Sequence, residues 1–189
     1  MAKAVASMVR ESIESFANGD LKKTKEVIEY DDVIDNLFNE VKKELADGIL
    51  NGEATQEQIL DVLMIAKYLE RIGDHAVNIC EYTKMIEEKN ITFSKEVIGE
   101  IAQMREICVK ALSKVESIDN GINVAEIAGI EEKIDEMTER FRKNQIDRMQ
   151  VGKCSDEGCV LYSEMLTDFE RIGDHILNVG QEMAGAVNE

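Results

Sequence analysis

Proline and tryptophan are absent from this 189-residue chain, and histidine occurs only twice. Without proline, no helix has to break for want of a backbone donor. Aromatic residues make up only 5%. That is few for a β-sandwich or barrel, whose strands favour aromatic and β-branched side chains. No apolar run approaches the ~20 residues that span a bilayer. The most apolar stretch, Ile59 to Ala66, is interrupted by Asp61. Direct membrane insertion is therefore not expected, and the N-terminus lacks a signal-peptide pattern. Basic residues are outnumbered, 22 against 39 acidic, for a formal net charge of −17. Such a balance is a poor match to a nucleic-acid backbone or an anionic lipid surface. Attracting cations is a more natural use of that field, and plain solubility needs no ligand at all.

What the chain does contain suits a packed domain. Hydrophobic residues are 44% of the total, enough to bury a core at this length. Cys80, Cys108, Cys154 and Cys159 form no CxxC pair and no Cys/His zinc set. They are expected to be reduced thiols in a cytoplasmic protein, with Cys80 and Cys108 in the core.

The sequence repeats itself. Residues 70–75 read Glu-Arg-Ile-Gly-Asp-His, and residues 170–175 read the same six. At the same offset, Asn78 is matched by Asn178, Ile34-Asp35 by Ile134-Asp135, Asp31 by Glu131 and Gly52 by Gly152. Matches spread over one frame indicate a duplicated supersecondary unit.

Helix signals fit that frame. A first helix over about 3–17 stops at Asn18-Gly19. Asp20 caps a second over about 21–50, which stops near Asn51-Gly52. Thr55 and Gln58 make a capping box for a third, about 56–88. Ser94 caps a fourth, about 95–117, followed by a turn at Asp119-Asn120-Gly121. A fifth covers about 123–150, and Ser155 opens a sixth that ends near Ala186. Apolar stripes run along these helices: Val27, Ile34, Phe38, Val41, Leu45 and Ile49 on the second, Ile59 to Ile79 on the third. On the fourth the stripe reads Ile98, Ile101, Arg105, Cys108, Leu112 and Val115. The expected fold class is all-α, with six helices in two tandem antiparallel three-helix bundles, residues 1–90 and 91–189. A single continuous six-helix bundle is the alternative.

Carboxylates lie beside these stripes. Asp31 and Asp35 share one helix face, as do Glu70 and Asp74. Glu131 with Asp135, and Glu170 with Asp174, repeat the arrangement. If neighbouring faces meet, four anions crowd together in each repeat. A hard metal ion relieves such crowding, and so do ion pairs with Arg71 and Arg171. Both readings stay open at this point. His75 and His175 follow the motif aspartates but point about 100° away from them. The ExxH spacing of di-iron bundles is missing. Gly73 and Gly173, inside helices, point to close helix approach.

The runs from Tyr68 to Ile79 and from Phe169 to Val179 resemble the motifs of the PhoU family. The resemblance covers nearly the whole chain. It implies two three-helix repeats with metal clusters held by Asp31, Asp35, Glu70 and Asp74, then Glu131, Asp135, Glu170 and Asp174. Iron or zinc is the first expectation, with manganese or magnesium as alternatives. It also implies an adaptor that represses the phosphate-starvation response, with a phosphate ABC transporter ATPase and a sensor histidine kinase as partners. Homo-oligomerisation is an open alternative. The first helix is short for the family, which implies a truncated chain. The segment Gly152-Lys153-Cys154-Ser155 also resembles the cytoplasmic regulatory domain of sodium/phosphate cotransporters. Two other classes compete. A metal-dependent phosphohydrolase would need a nucleophile, a phosphate-cradling loop or a general base, none of which the sequence supplies. A structural helical module without metal is the third.

Overall fold

The computed structural model describes residues 1–52, 55–116 and 123–187. Within them lie six helices: α1 (Ala2–Asn18), α2 (Leu21–Asn51), α3 (Gln56–Glu88), α4 (Lys95–Glu116), α5 (Val124–Gln150) and α6 (Asp156–Val187). No strand occurs among the described residues. The expected turn at Asp119-Asn120-Gly121 lies outside them.

Each boundary has a local cause. Gly19 and Gly52 end α1 and α2 in the left-handed region, at φ 61° and 67°, where a Cβ is disfavoured. Asp20 accepts from the backbone N–H groups of Lys22 and Lys23. Thr55 and Gln58 form the reciprocal capping box at α3. Ser94 Oγ, Asn123 Oδ1 and Ser155 Oγ accept from the backbones of Val97, Glu126 and Gly158, starting α4, α5 and α6.

α1–α3 and α4–α6 each form a three-helix unit, and the two units pack mainly through α3 against α6, with α1 against α4 beside it. These two helices run antiparallel: Lys89 at the end of α3 pairs with Glu157 at the start of α6, 3.2 Å apart. One apolar cluster runs through all six helices and includes Ile34, Ile72, Ile79, Ile134, Phe169 and Ile172. The units are therefore tandem in sequence but share one core. Cys80 and Cys108 sit inside it as free thiols.

Two stripes differ from expectation. On α4 the buried set is Val97, Glu100, Ile101, Met104, Cys108, Ala111, Leu112 and Val115. Ile98 and Arg105 face outward, so the first half of the stripe sits one residue earlier than its sequence spacing suggests. On α2 burial stops at Ile34, and Ile49 is 58% exposed. The cause is length. α1 has 17 residues and reaches about 25 Å, whereas α2 has 31 and reaches about 46 Å. The end of α2 overhangs its neighbour and lacks a third helix to pack on.

The cysteine expectation also needs correction. Cys154 and Cys159 are joined as a disulfide, with Cα atoms 6.4 Å apart. Their separation of five residues spans a turn and a helix start, and that local fold brings the sulfurs together.

Candidate metal centre

The duplicated motif places carboxylates on the facing sides of α2 and α3 in one half, and of α5 and α6 in the other. The helices run close together at the motif glycines. A Cβ on Gly73 would meet Asp31 Oδ1 at 3.4 Å and Ile34 at 3.6 Å, so the aspartate lies over bare helix backbone. At Gly173 a Cβ would come 3.0 Å from Ile134. The expected close approach is therefore present in both repeats.

The second half brings three ligands together. Donor oxygens of Glu131, Asp135 and Asp174 all lie within 4.8 Å of one another. Burial and the neighbouring Asp135 and Asp174 raise the pKa of Glu131. Burial, Glu170 and Asp174 raise that of Asp135, against a lowering by Arg142. Glu170, the fourth expected ligand, turns toward Arg142, whose Nη2 is 2.9 Å from its Oε2. This ion pair is close but not aligned as a hydrogen bond, and Oε2 is otherwise unpartnered. Arg171 pairs with Asp174 at 3.0 Å.

The first half is looser. Asp31, Asp35, Glu70 and Asp74 do not converge as tightly as the second-half trio, yet they feel one another. Burial, then Asp35, Asp74 and Glu70, push the pKa of Asp31 up to about 6. Burial and Glu70 raise that of Asp74, while Arg71 and Lys67 lower it. Lys67 holds Glu70 at 2.6 Å, and Arg71 approaches Asp74 at 3.5 Å. Asp35 is exposed. Ion pairs thus relieve part of the charge, and the remaining carboxylates are still crowded.

Oxygen-only donors suit hard cations. In the second half, Glu131 and Asp135 have elevated proton affinity, and within the trio only Asp174 carries a direct cationic partner. Such a group gains when a cation replaces its protons. The residues therefore fit a metal, which would supply charge neutralisation and a rigid tie between α5 and α6.

The histidines lie beside these faces, at the α3–α6 contact. Their rings stack with centroids 5.5 Å apart, and Tyr68 stacks on His175 at 5.7 Å. Asp168, 5% exposed, accepts from His75 Nδ1 at 2.7 Å and from Asn78 Nδ2 at 3.0 Å. A carboxylate only accepts, so His75 carries its proton on Nδ1. His175 has no such partner. Burial, then the charge of His75, lowers its pKa to about 4. Sequence reading missed Asp168 because its repeat mate is Tyr68, a mismatch in the duplicated frame. It also missed Glu100, which receives Arg148 and Asn144 from α5 and Tyr162 from α6. The available signal was an acid at stripe spacing between Val97 and Met104.

Known proteins share this plan. The PhoU domain family matches residues 1–83 and 95–183. The phosphate-specific transport system accessory protein PhoU homolog 1 of Thermotoga maritima is 28% identical over 187 residues, covering 95% of this chain and 79% of that protein. A homolog from Clostridium acetobutylicum is 35% identical over 83 residues, 44% of this chain and 38% of its own length. The crystal structure of PhoU from Pseudomonas aeruginosa superposes with a TM-score of 0.87 at 19% identity. It covers all of this chain and 92% of that one. The regulatory protein PhoU from Streptococcus pneumoniae gives 0.83 at 18% identity, over 98% and 89%. Because the domain match runs through both halves, the chain belongs to the PhoU family.

Proposed function

We propose that this chain is a regulatory accessory protein of phosphate uptake that binds metal through its carboxylate faces and works by contact with other proteins. The convergence of Glu131, Asp135 and Asp174 carries the metal part. Its relatives are named as accessory proteins of the phosphate-specific transport system, which supports the partner part. The partners on this reading are the ATPase of a phosphate ABC transporter and a sensor histidine kinase, met in the cytoplasm. No described helix is long and apolar enough to cross a membrane.

The second repeat is the tighter metal site on this reading, since its donors already converge. In the first, Lys67 and Arg71 must swing away from Glu70 and Asp74. Manganese, magnesium or ferric iron suits the all-oxygen donors better than zinc, which favours nitrogen and sulfur. An adaptor fits better than an enzyme. The largest of the described cavities, about 530 Å³, is an open groove lined by Ile49, Gln56, Ile59 and Leu60, away from the acids.

Chelator-stripped protein titrated with Mn²⁺ in a calorimeter tests the metal part. One site should weaken at least tenfold in the Glu131→Gln/Asp174→Asn variant; unchanged binding would sink it. Failure to co-purify with the transporter ATPase would sink the adaptor part. Turnover of p-nitrophenyl phosphate that disappears in the Asp74→Ala/Asp174→Ala variant would replace it with the enzyme reading.

A further inference from the structure

The four cysteines divide into two pairs of opposite character. Burial pushes the Cys80 thiol up to about 11 and the Cys108 thiol up to about 12. Neither supplies a thiolate near neutral pH, so neither is reactive. Cys154 and Cys159 are bonded to each other. Their bridge ties the turn after α5 to the first turn of α6. Positions 54 and 59, their repeat mates, are alanine and isoleucine. The first repeat thus joins α2 to α3 without cysteine, and the helical plan does not require the bridge.

We propose that Cys154 and Cys159 form a reversible thiol–disulfide switch that staples or releases the α5–α6 tip. The two sulfurs differ in access: Cys154 is half-buried, whereas Cys159 is 3% exposed. A thiolate of an incoming dithiol reductant attacks Cys154 Sγ. The protein S–S bond breaks, and its electron pair leaves on Cys159 Sγ. That sulfur sits in the first turn of α6, where the helix dipole and unpaired N–H groups favour negative charge. The second thiol of the reductant then attacks its own sulfur in the mixed disulfide and releases Cys154 as the thiolate. The reductant departs as a disulfide, having given two electrons; its two protons end on the protein thiols. A disulfide oxidant reverses the exchange. Bridges of this kind in reducing compartments are mostly transient and redox-sensing.

The bridge stands at the end of a polar chain. Cys154 Sγ accepts from Gln145 Nε2 at 3.6 Å, and Gln145 Oε1 accepts from Arg148 Nε at 3.0 Å. Arg148 in turn forks onto Glu100 of α4. Exposed Met149, Val151 and Val160 belong to the same tip. Release of the staple frees that apolar surface to move. It leaves the carboxylates alone, because Asp135 lies fifteen residues, about 22 Å, back along α5 from Gln150.

The experiment uses the whole chain, oxidised with glutathione disulfide or reduced with dithiothreitol. Native N-ethylmaleimide labelling with peptide mapping should find Cys154 and Cys159 blocked in the oxidised protein and labelled in the reduced one. Cys80 and Cys108 should stay unlabelled in both. Amide exchange in the first turn of α6 should rise about tenfold or more on reduction, and Cys154→Ser should show the faster rate under oxidising conditions. Mn²⁺ affinity should be equal in the two states, which separates this switch from the metal site. Labelling of Cys154 under oxidising conditions, or equal exchange in both states, overturns the proposal.

Discussion

Asp31 shows how a single side chain carries the strain of the acidic face. Its pKa rises from 3.8 to about 6 through burial and four neighbouring carboxylates. The native state therefore holds this proton where the unfolded chain has lost it. Stability of the metal-free protein is highest below pH 4 with respect to this group, and falls as pH climbs through about 6. Solvent screening at a half-buried site limits the loss to roughly 1–2 kcal/mol. Asp31→Asn should flatten the pH dependence of the chemical-denaturation midpoint between pH 4 and 7 in chelated protein; an unchanged slope would contradict the crowding. Glu100 is the opposite case. Burial alone would raise it, but hydrogen bonds from Arg148, Tyr162 and Asn144 outweigh that and hold it low. Arg148→Met would leave this buried carboxylate without its cation, at about 3–5 kcal/mol. A Glu100→Leu/Arg148→Met pair should recover most of the loss, and urea melts distinguish the two outcomes.

At the scale of elements, two glycines in identical motifs have different neighbours. Around Gly73 an added methyl finds ordinary contact distance, 3.4 Å or more. Around Gly173 it meets three atoms of Ile134 at 3.0–3.6 Å. Ile134 is fully buried and stiff at its branched carbon, so it has little room to yield. Gly73→Ala should be neutral or gain up to about 1 kcal/mol from helix propensity. Gly173→Ala should lose about 1 kcal/mol or more from overpacking α5 against α6. Thermal melts of the two variants, compared side by side, check the sign of each. The repeat was legible as sequence, but this difference was not. It depends on how closely a partner helix approaches, and no spacing within α6 records that distance.

Over the whole molecule, α3 and α6 form the seam between the repeats, and one acid from α6 serves that seam. Asp168 gathers hydrogen bonds from His75 and Asn78 of α3. Burial and Asp168 also raise the pKa of Tyr82. Asp168→Ala would strand these donors in the interior, at about 2 kcal/mol. Asp168→Asn keeps an acceptor oxygen and removes a buried charge, so it should restore at least half of that stability. Equal losses in both variants would show that the seam does not depend on this acceptor.

Local chemistry alone determined the six helices, their caps, the duplication and which carboxylates share a helix face. Turn residues, caps and helical spacing act within a few residues and need no partner element. Tertiary structure decided the rest. It set which four-residue register of α4 faces the core, and that α2 overhangs a shorter α1. It also brought Glu131, Asp135 and Asp174 together more tightly than their first-repeat counterparts. Asp168 meets His75 across ninety-three residues of sequence. Contacts of that kind depend on how separate helices pack, and the pattern along one helix does not carry that information.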